Sequence, residues 1–153
     1  MKFRYGTKIH LMNAGIIAQT YRRCKSEPGN RADMIRLLIV AEQPAMRKGL
    51  HMRLAAETDF TVIGEAADCE TALALAISHC PDIALVDADM VVSDGIAVAN
   101  ILHTICPKIS VVILSIHDDI RTCKRAEDAG AASIVVKSLP ADTLLTTIRG
   151  VVG

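Results

Sequence analysis

The stretch DIALVDADM, residues 82–90, runs four apolar residues, Ile83 to Val86, straight into an acid at Asp87. Four more apolar runs of strand length lie around it: RLLIV (36–40), TVIGEA (61–66), SVVIL (110–114) and SIVV (133–136). Their near-continuous Val, Ile and Leu content suits strands buried on both faces. Between them, residues recur at helical spacing, as at Leu73, Ile77 and Cys80 or at Ile96, Ala99 and Leu102. Such alternation predicts parallel strands with helices on both sides. The punctuation agrees: Pro44 and Pro140 suit first-turn positions, Asp68 a helix N-cap and Gly130 a helix stop. The fold class read here is α/β, a doubly wound five-stranded parallel sheet, whose ligands are expected beyond the carboxyl ends of the strands.

Upstream of this pattern, CKSEPGNRAD (24–33) clusters Ser, Pro, Gly and Asn and reads as a linker. Two parts are therefore expected: a flexible extension over 1–33 and a folded domain over 34–153. Net charge is zero but uneven, since residues 1–33 hold seven Lys/Arg against two Asp/Glu and residues 34–153 hold ten against fifteen. The basic leader lacks a repeated basic stripe and is read as a solvated tail. MKFRYGTK looks like a charged signal start, but the segment after it lacks a clean cleavage site, so secretion is not expected. No apolar stretch is long enough to cross a membrane. The five cysteines are widely spaced and contain no C-x-x-C pair, which suggests neither a disulfide framework nor a zinc site and fits a cytoplasmic protein. His103 with Cys106, and His79 with Cys80, are pairs that fall short of a metal site.

The residues just past the apolar runs are more informative. Glu42 comes shortly after the first run, Asp87 after the third, Ser115 after the fourth and Lys137 after the fifth. Charged groups at the mouth of an apolar sheet are costly unless they share partners or a cation. An acid, an acid, a hydroxyl and an ammonium converging there suggest a phosphoryl site with a hard divalent metal. In that scheme Asp87 is the nucleophile, Glu42 and Asp87 hold Mg²⁺, Ser115 hydrogen-bonds a phosphoryl oxygen and Lys137 neutralises the acyl phosphate.

The blocks IRLLIVAEQPAMRKGL, VIGEAADCETALALA, DIALVDADM, VVILS and AEDAGAASIVVKSLPADTL resemble the successive blocks of a response-regulator receiver domain. The VIGEAAD segment and the K-x-x-P ending are most similar to the LuxR-like class. The resemblance implies the flavodoxin-like receiver fold with strand order 2-1-3-4-5, and phosphorylation of Asp87 by a histidine kinase. It implies a backbone carbonyl of Asp89 beside Glu42 and Asp87 on Mg²⁺, and signalling through a changed surface rather than turnover of a substrate. It also implies a homodimer through the fourth and fifth βα units, where Arg121, Lys124 and Arg149 mix with apolar positions. No DNA-reading element follows the fifth helix, so direct nucleic-acid binding by this chain is not expected.

The departures from the family pattern are as telling. The acidic pair after the first strand is Ala41 and Glu42, and losing one carboxylate should weaken Mg²⁺. Asp89 brings a further negative charge beside the acceptor, either restoring charge to the pocket or repelling an incoming phosphate. Ile116 stands where the family has a small residue and is expected to narrow access to Asp87. Ile134 replaces the aromatic switch residue of the fifth strand, and Val91-Val92 replace a Pro-Gly, so the usual switch and loop cannot be retained unchanged. These changes support an alternative, a pseudo-receiver that works as an interaction module without phosphorylation. A third reading starts from VDADMV, whose D-x-D-x-V form is that of haloacid-dehalogenase-like phosphatases. There the motif usually lies on the first strand and an acidic pair follows the lysine, whereas here only Asp142 follows Lys137. A flavodoxin-like nucleotide site would need a Gly- or Ser/Thr-rich loop after the first strand, and AEQPAM supplies none.

Overall fold

The computed structural model describes residues 34–152. The basic leader and the linker, and with them the expected flexible extension over 1–33, lie outside the described residues. The elements alternate throughout: β1 (Ile35–Val40), α1 (Pro44–Ala55), β2 (Phe60–Ala66), α2 (Cys69–His79), β3 (Ile83–Asp87), α3 (Gly95–Ile105), β4 (Ser110–Ser115), α4 (Ile120–Asp128), β5 (Ser133–Val136) and α5 (Ala141–Val152). All the pairings are parallel and the order is β2-β1-β3-β4-β5. That is the expected doubly wound sheet with the expected strand order.

Every apolar run lies in a strand, and side-chain alternation divides each between two cores. Leu38, Val40, Ala84, Val86 and Ile113 pack on one face with buried residues of α2, α3 and α4. Leu37, Ile39, Ile83, Leu85 and Val112 pack on the other with residues of α1 and α5. Full burial of a Leu, Ile or Val stabilises the fold by about 1.5–3 kcal/mol each, so these two layers hold the strand ends in register. β3 and β4 run one residue past their apolar runs, which makes Asp87 and Ser115 the last residues of their strands.

The helix signals behave as their chemistry requires. Pro44 opens α1, where its missing N–H leaves no bond unmade. Pro140 departs from its expected first-turn place: it precedes α5, and its carbonyl accepts from Thr143 N at 2.9 Å. Gly130 follows α4 with φ +85°. That left-handed conformation suits glycine, and the ring of His103 fills the space a Cβ would take. Asp68 caps α2, its Oδ1 accepting from Thr71 N at 2.8 Å. Asp68→Ala should therefore destabilise the fold by about 1 kcal/mol, read as a lower urea midpoint with an unchanged slope. An unchanged midpoint would show that water replaces the cap at no cost.

Burial pushes the thiols of Cys69 and Cys106 up to about 11, with the Asp68 charge adding to the effect at Cys69. Neither is a nucleophile at neutral pH. Among the described residues Cys69, Cys106 and Cys123 are free. Among the described residues no helix is long and apolar enough to cross a membrane.

Candidate functional site

Asp87 closes β3 at the carboxyl edge of the sheet, between β1 on one side and β4 on the other. It is only 5% exposed. Three contacts fix the backbone around it. Ala88 N donates to Leu114 O at 2.8 Å, and Val40, the partner of Val86, brings Ala41 alongside. On the third side α3 begins at Gly95, so close that an added Cβ would lie 2.0 Å from Asp87 O and 2.7 Å from Ala88 Cα. Only a residue without a side chain lets α3 start there. The Asp94-Gly95 pair serves both needs, because the Asp94 side chain caps α3 by accepting from Ile96 N and Ala97 N.

Lys137 follows β5 and is set by its own backbone N–H, which donates to Ser115 O at 2.8 Å. Its ammonium donates to Asp87 Oδ1 at 2.6 Å and lies 3.0 Å from Asp89 Oδ2. Burial opposes the Lys137 charge, but the hydrogen bonds and charges of Asp87 and Asp89 outweigh it and hold the ammonium pKa above its ordinary value of 10.5. A raised ammonium pKa means that the Lys137 charge contributes stability that is present below its unfolded value and is lost only in strong alkali. Asp87 Oδ1 also accepts from Asp89 N at 2.9 Å. Among the described residues no hydrogen bond reaches Asp87 Oδ2, so a buried carboxylate oxygen is left for something other than protein.

The other expected site residues surround this cluster without all joining it. Ser115 is fully buried, and its Oγ accepts from His117 N at 3.0 Å, which orders the loop after β4. The Glu42 carboxylate accepts from Val91 N at 2.6 Å and from Val92 N at 3.1 Å. It therefore ties down the loop that follows Asp87. Asp89 Oδ2 accepts from Ile116 N at 2.8 Å. Ile116 itself stands on the rim, 61% exposed, with Val91 and Val92 at 87% and 82%. Ile134 is half-buried and packs inward against the core shared by α2, α3 and α4.

Two functional positions escaped the sequence reading. Arg47 donates through one guanidinium nitrogen to Ala41 O at 2.7 Å and Glu42 O at 2.9 Å, locking the loop after β1. Nothing in its spacing marks it. Gly95 could have been found from the Asp-Gly dipeptide that precedes a helical run. Arg149, placed by the sequence reading among the dimer residues, bonds Asp59 at 2.8 Å and Glu57 at 2.8 Å and lies over the Phe60 ring. It braces α5 against the start of β2.

Among the described residues no three His, Cys, Asp or Glu side chains group as a metal cage. The donors nevertheless suit Mg²⁺, which often takes only one or two carboxylates and completes its shell with water and phosphate oxygens. The unpartnered Asp87 Oδ2 is one such donor.

A model of the response regulator receiver domain matches residues 37–149. Transcriptional regulatory protein LiaR of Bacillus subtilis is 35% identical over 120 residues, 76% of this chain and 55% of that protein. The solved receiver domain of the putative response regulator NarL from Mycobacterium tuberculosis superposes with a TM-score of 0.68 at 28% identity, covering 78% of this chain and 99% of that one. A CheX–CheY–BeF3–Mg²⁺ complex from Borrelia burgdorferi gives 0.70 at 26% identity, covering 76% of this chain and 88% of that one. The chain spans about half the length of the curated relatives it matches. A buried strand-end aspartate held by a lysine, on a sheet wound in this order and matched over nearly all its length, leaves one conclusion: the chain belongs to the receiver domains of two-component response regulators.

Proposed function

We propose that Asp87 accepts a phosphoryl group from the phosphohistidine of a cytoplasmic histidine kinase, and that the phosphorylated domain signals through a changed interaction surface. The observation that carries this reading is the state of the Asp87 carboxylate: buried, with Oδ1 taken by Lys137 and Oδ2 without a partner among the described residues. A carboxylate oxygen attacks phosphorus as the P–N bond of the phosphohistidine breaks, and the imidazole nitrogen leaves with the electron pair. Lys137 neutralises charge as the transferring group arrives, and the Ser115 hydroxyl, whose oxygen accepts from His117 N, donates its hydrogen to a phosphoryl oxygen. Asp87 and the backbone carbonyl of Asp89, with Glu42 beside them, would hold Mg²⁺, which would supply the remaining charge neutralisation. Hydrolysis of the acyl phosphate by water resets the domain, so the chemistry is stoichiometric and no small substrate is turned over.

Intact-mass analysis after incubation with Mg²⁺ and acetyl phosphate tests the reading. A single phosphoryl adduct is expected. A folded protein with no adduct would favour an interaction module that works without phosphorylation.

The reduced donor set makes a second test. Ala41 is fully buried beside Asp87, so Ala41→Asp adds a carboxylate where water cannot reach it freely. The variant should bind Mg²⁺ about tenfold or more tightly, since hard-cation affinity rises with the number of charged ligands. Without Mg²⁺ it should be less stable than the parent, because a second buried anion stands unpaired. A metal titration that shows no gain would mean that another oxygen already completes the site.

Dimerisation through the fourth and fifth βα units is part of the proposal. Arg121 and Lys124 are exposed on α4 and support it, whereas Arg149 is occupied by Glu57 and Asp59. Sedimentation that shows a monomer both with and without a phosphate mimic would argue against such a dimer.

A further inference from the structure

The donors that a phosphoryl group on Asp87 would need are already in use. Asp89 Oδ2 accepts from Ile116 N at 2.8 Å and sits 3.0 Å from Lys137 Nζ. The Asp89 side chain is 20% exposed, and its own N–H donates to Asp87 Oδ1 at 2.9 Å. One carboxylate oxygen thus joins an amide at the mouth of β4 to the ammonium after β5, both at the rim of the Asp87 pocket. An acyl phosphate on Asp87 brings three oxygens and a charge of about −1.5 to −2 into the same space. Two anions cannot share one ammonium and one amide in a partly buried site without strong repulsion.

We propose that Asp89 is a built-in occupant of the phosphoryl subsite, holding Ile116 N–H and Lys137 until an incoming phosphoryl group displaces it. This rests on the reading of Asp87 as the phosphoacceptor and adds the residue that sets how readily it reacts. Asp89 is a positioning residue: it acts through the donors that it withholds. Displacement frees the amide of Ile116, at the head of the loop into α4, so the exchange of one anion for another moves that loop directly. Such a device needs no aromatic ring on β5, where this chain has Ile134.

The alternative role for the Asp89 carboxylate is a metal ligand, and the two make opposite predictions. Asp89→Ala and Asp89→Asn both keep the backbone carbonyl. If the carboxylate withholds donors, labelling by acetyl phosphate with Mg²⁺ should speed up, with Ala faster than Asn and Asn faster than the parent. The gain should be roughly tenfold to a hundredfold in Ala, the factor by which a hydrogen bond to a charged group weighs. The apparent affinity for beryllofluoride should rise in the same order, followed by the Ile116 amide resonance, which a merely structural cap would leave unmoved on titration.

Labelling of Asp89→Ala with an unlabelled parent would support the inference in its strongest form. Equal or slower labelling of the variants, with the parent labelled, would overturn the inference and leave the phosphoacceptor reading standing. No labelling of any of the three folded proteins would overturn that reading itself, and the inference with it.

Discussion

Replacing Asp87 with asparagine should abolish the phosphoryl adduct and leave the fold intact. The amide has no nucleophilic oxygen of the required strength, and its Oδ1 can still accept from Asp89 N and from Lys137. Lys137 keeps a full negative partner in Asp89 at 3.0 Å, so no buried charge is stranded. Two effects on stability oppose each other: the close Asp87 to Lys137 ion pair is weakened, and the repulsion between Asp87 and Asp89 is relieved. A net change within about 1 kcal/mol is expected. Intact mass reads the first outcome and a urea transition the second. An adduct of the same mass on Asp87→Asn would place the nucleophile elsewhere. A collapse in stability would show the carboxylate to be a structural anchor of the sheet edge.

The largest loss of stability is expected from a single methyl group. Gly95→Ala puts a Cβ 2.0 Å from Asp87 O, against backbone atoms that cannot rotate away as a side-chain end would. Either α3 or the end of β3 must shift. Overpacking of this kind costs typically 1–3 kcal/mol, and a clash confined to backbone belongs at or beyond the upper end, about 3 kcal/mol or more. Because the atom pressed is the carbonyl of Asp87 itself, labelling by acetyl phosphate should fall even where the protein still folds. Gly49→Ala, whose methyl meets nothing within 4 Å, is the control and should not destabilise α1. Equal midpoints for the two variants would mean that α3 can start further from the strand than it does here.

How far the sequence could be read depends on the range of the interaction concerned. Strands were legible because burial on both faces demands near-continuous Val, Ile and Leu, and five such runs spaced by helical periods admit few arrangements. Asp87, Ser115 and Lys137 were legible for a related reason: a polar residue directly after a buried strand has nowhere to point but the carboxyl edge. Asp68 and Gly130 could be read because capping and helix termination are local, settled within a few residues.

The pairing of each carboxylate was beyond reach from the chain alone. Glu42 reads as a metal ligand, and only the structure shows that its carboxylate also meets the amides of Val91 and Val92 about fifty positions on. Asp89 reads as a further charge beside the acceptor, and the structure joins its carboxylate to Ile116 N, 27 residues away, and to Lys137. Arg149 looked like an interface residue, yet it spans back to Glu57 and Asp59. By itself, then, the sequence determined the parallel sheet, its order through family likeness, and which residues arrive at its edge. Only the tertiary structure decided which donor each acid takes and why Gly95 must be glycine, because hydrogen bonds and steric limits act over about 3 Å between loops whose separation in the chain carries no such information.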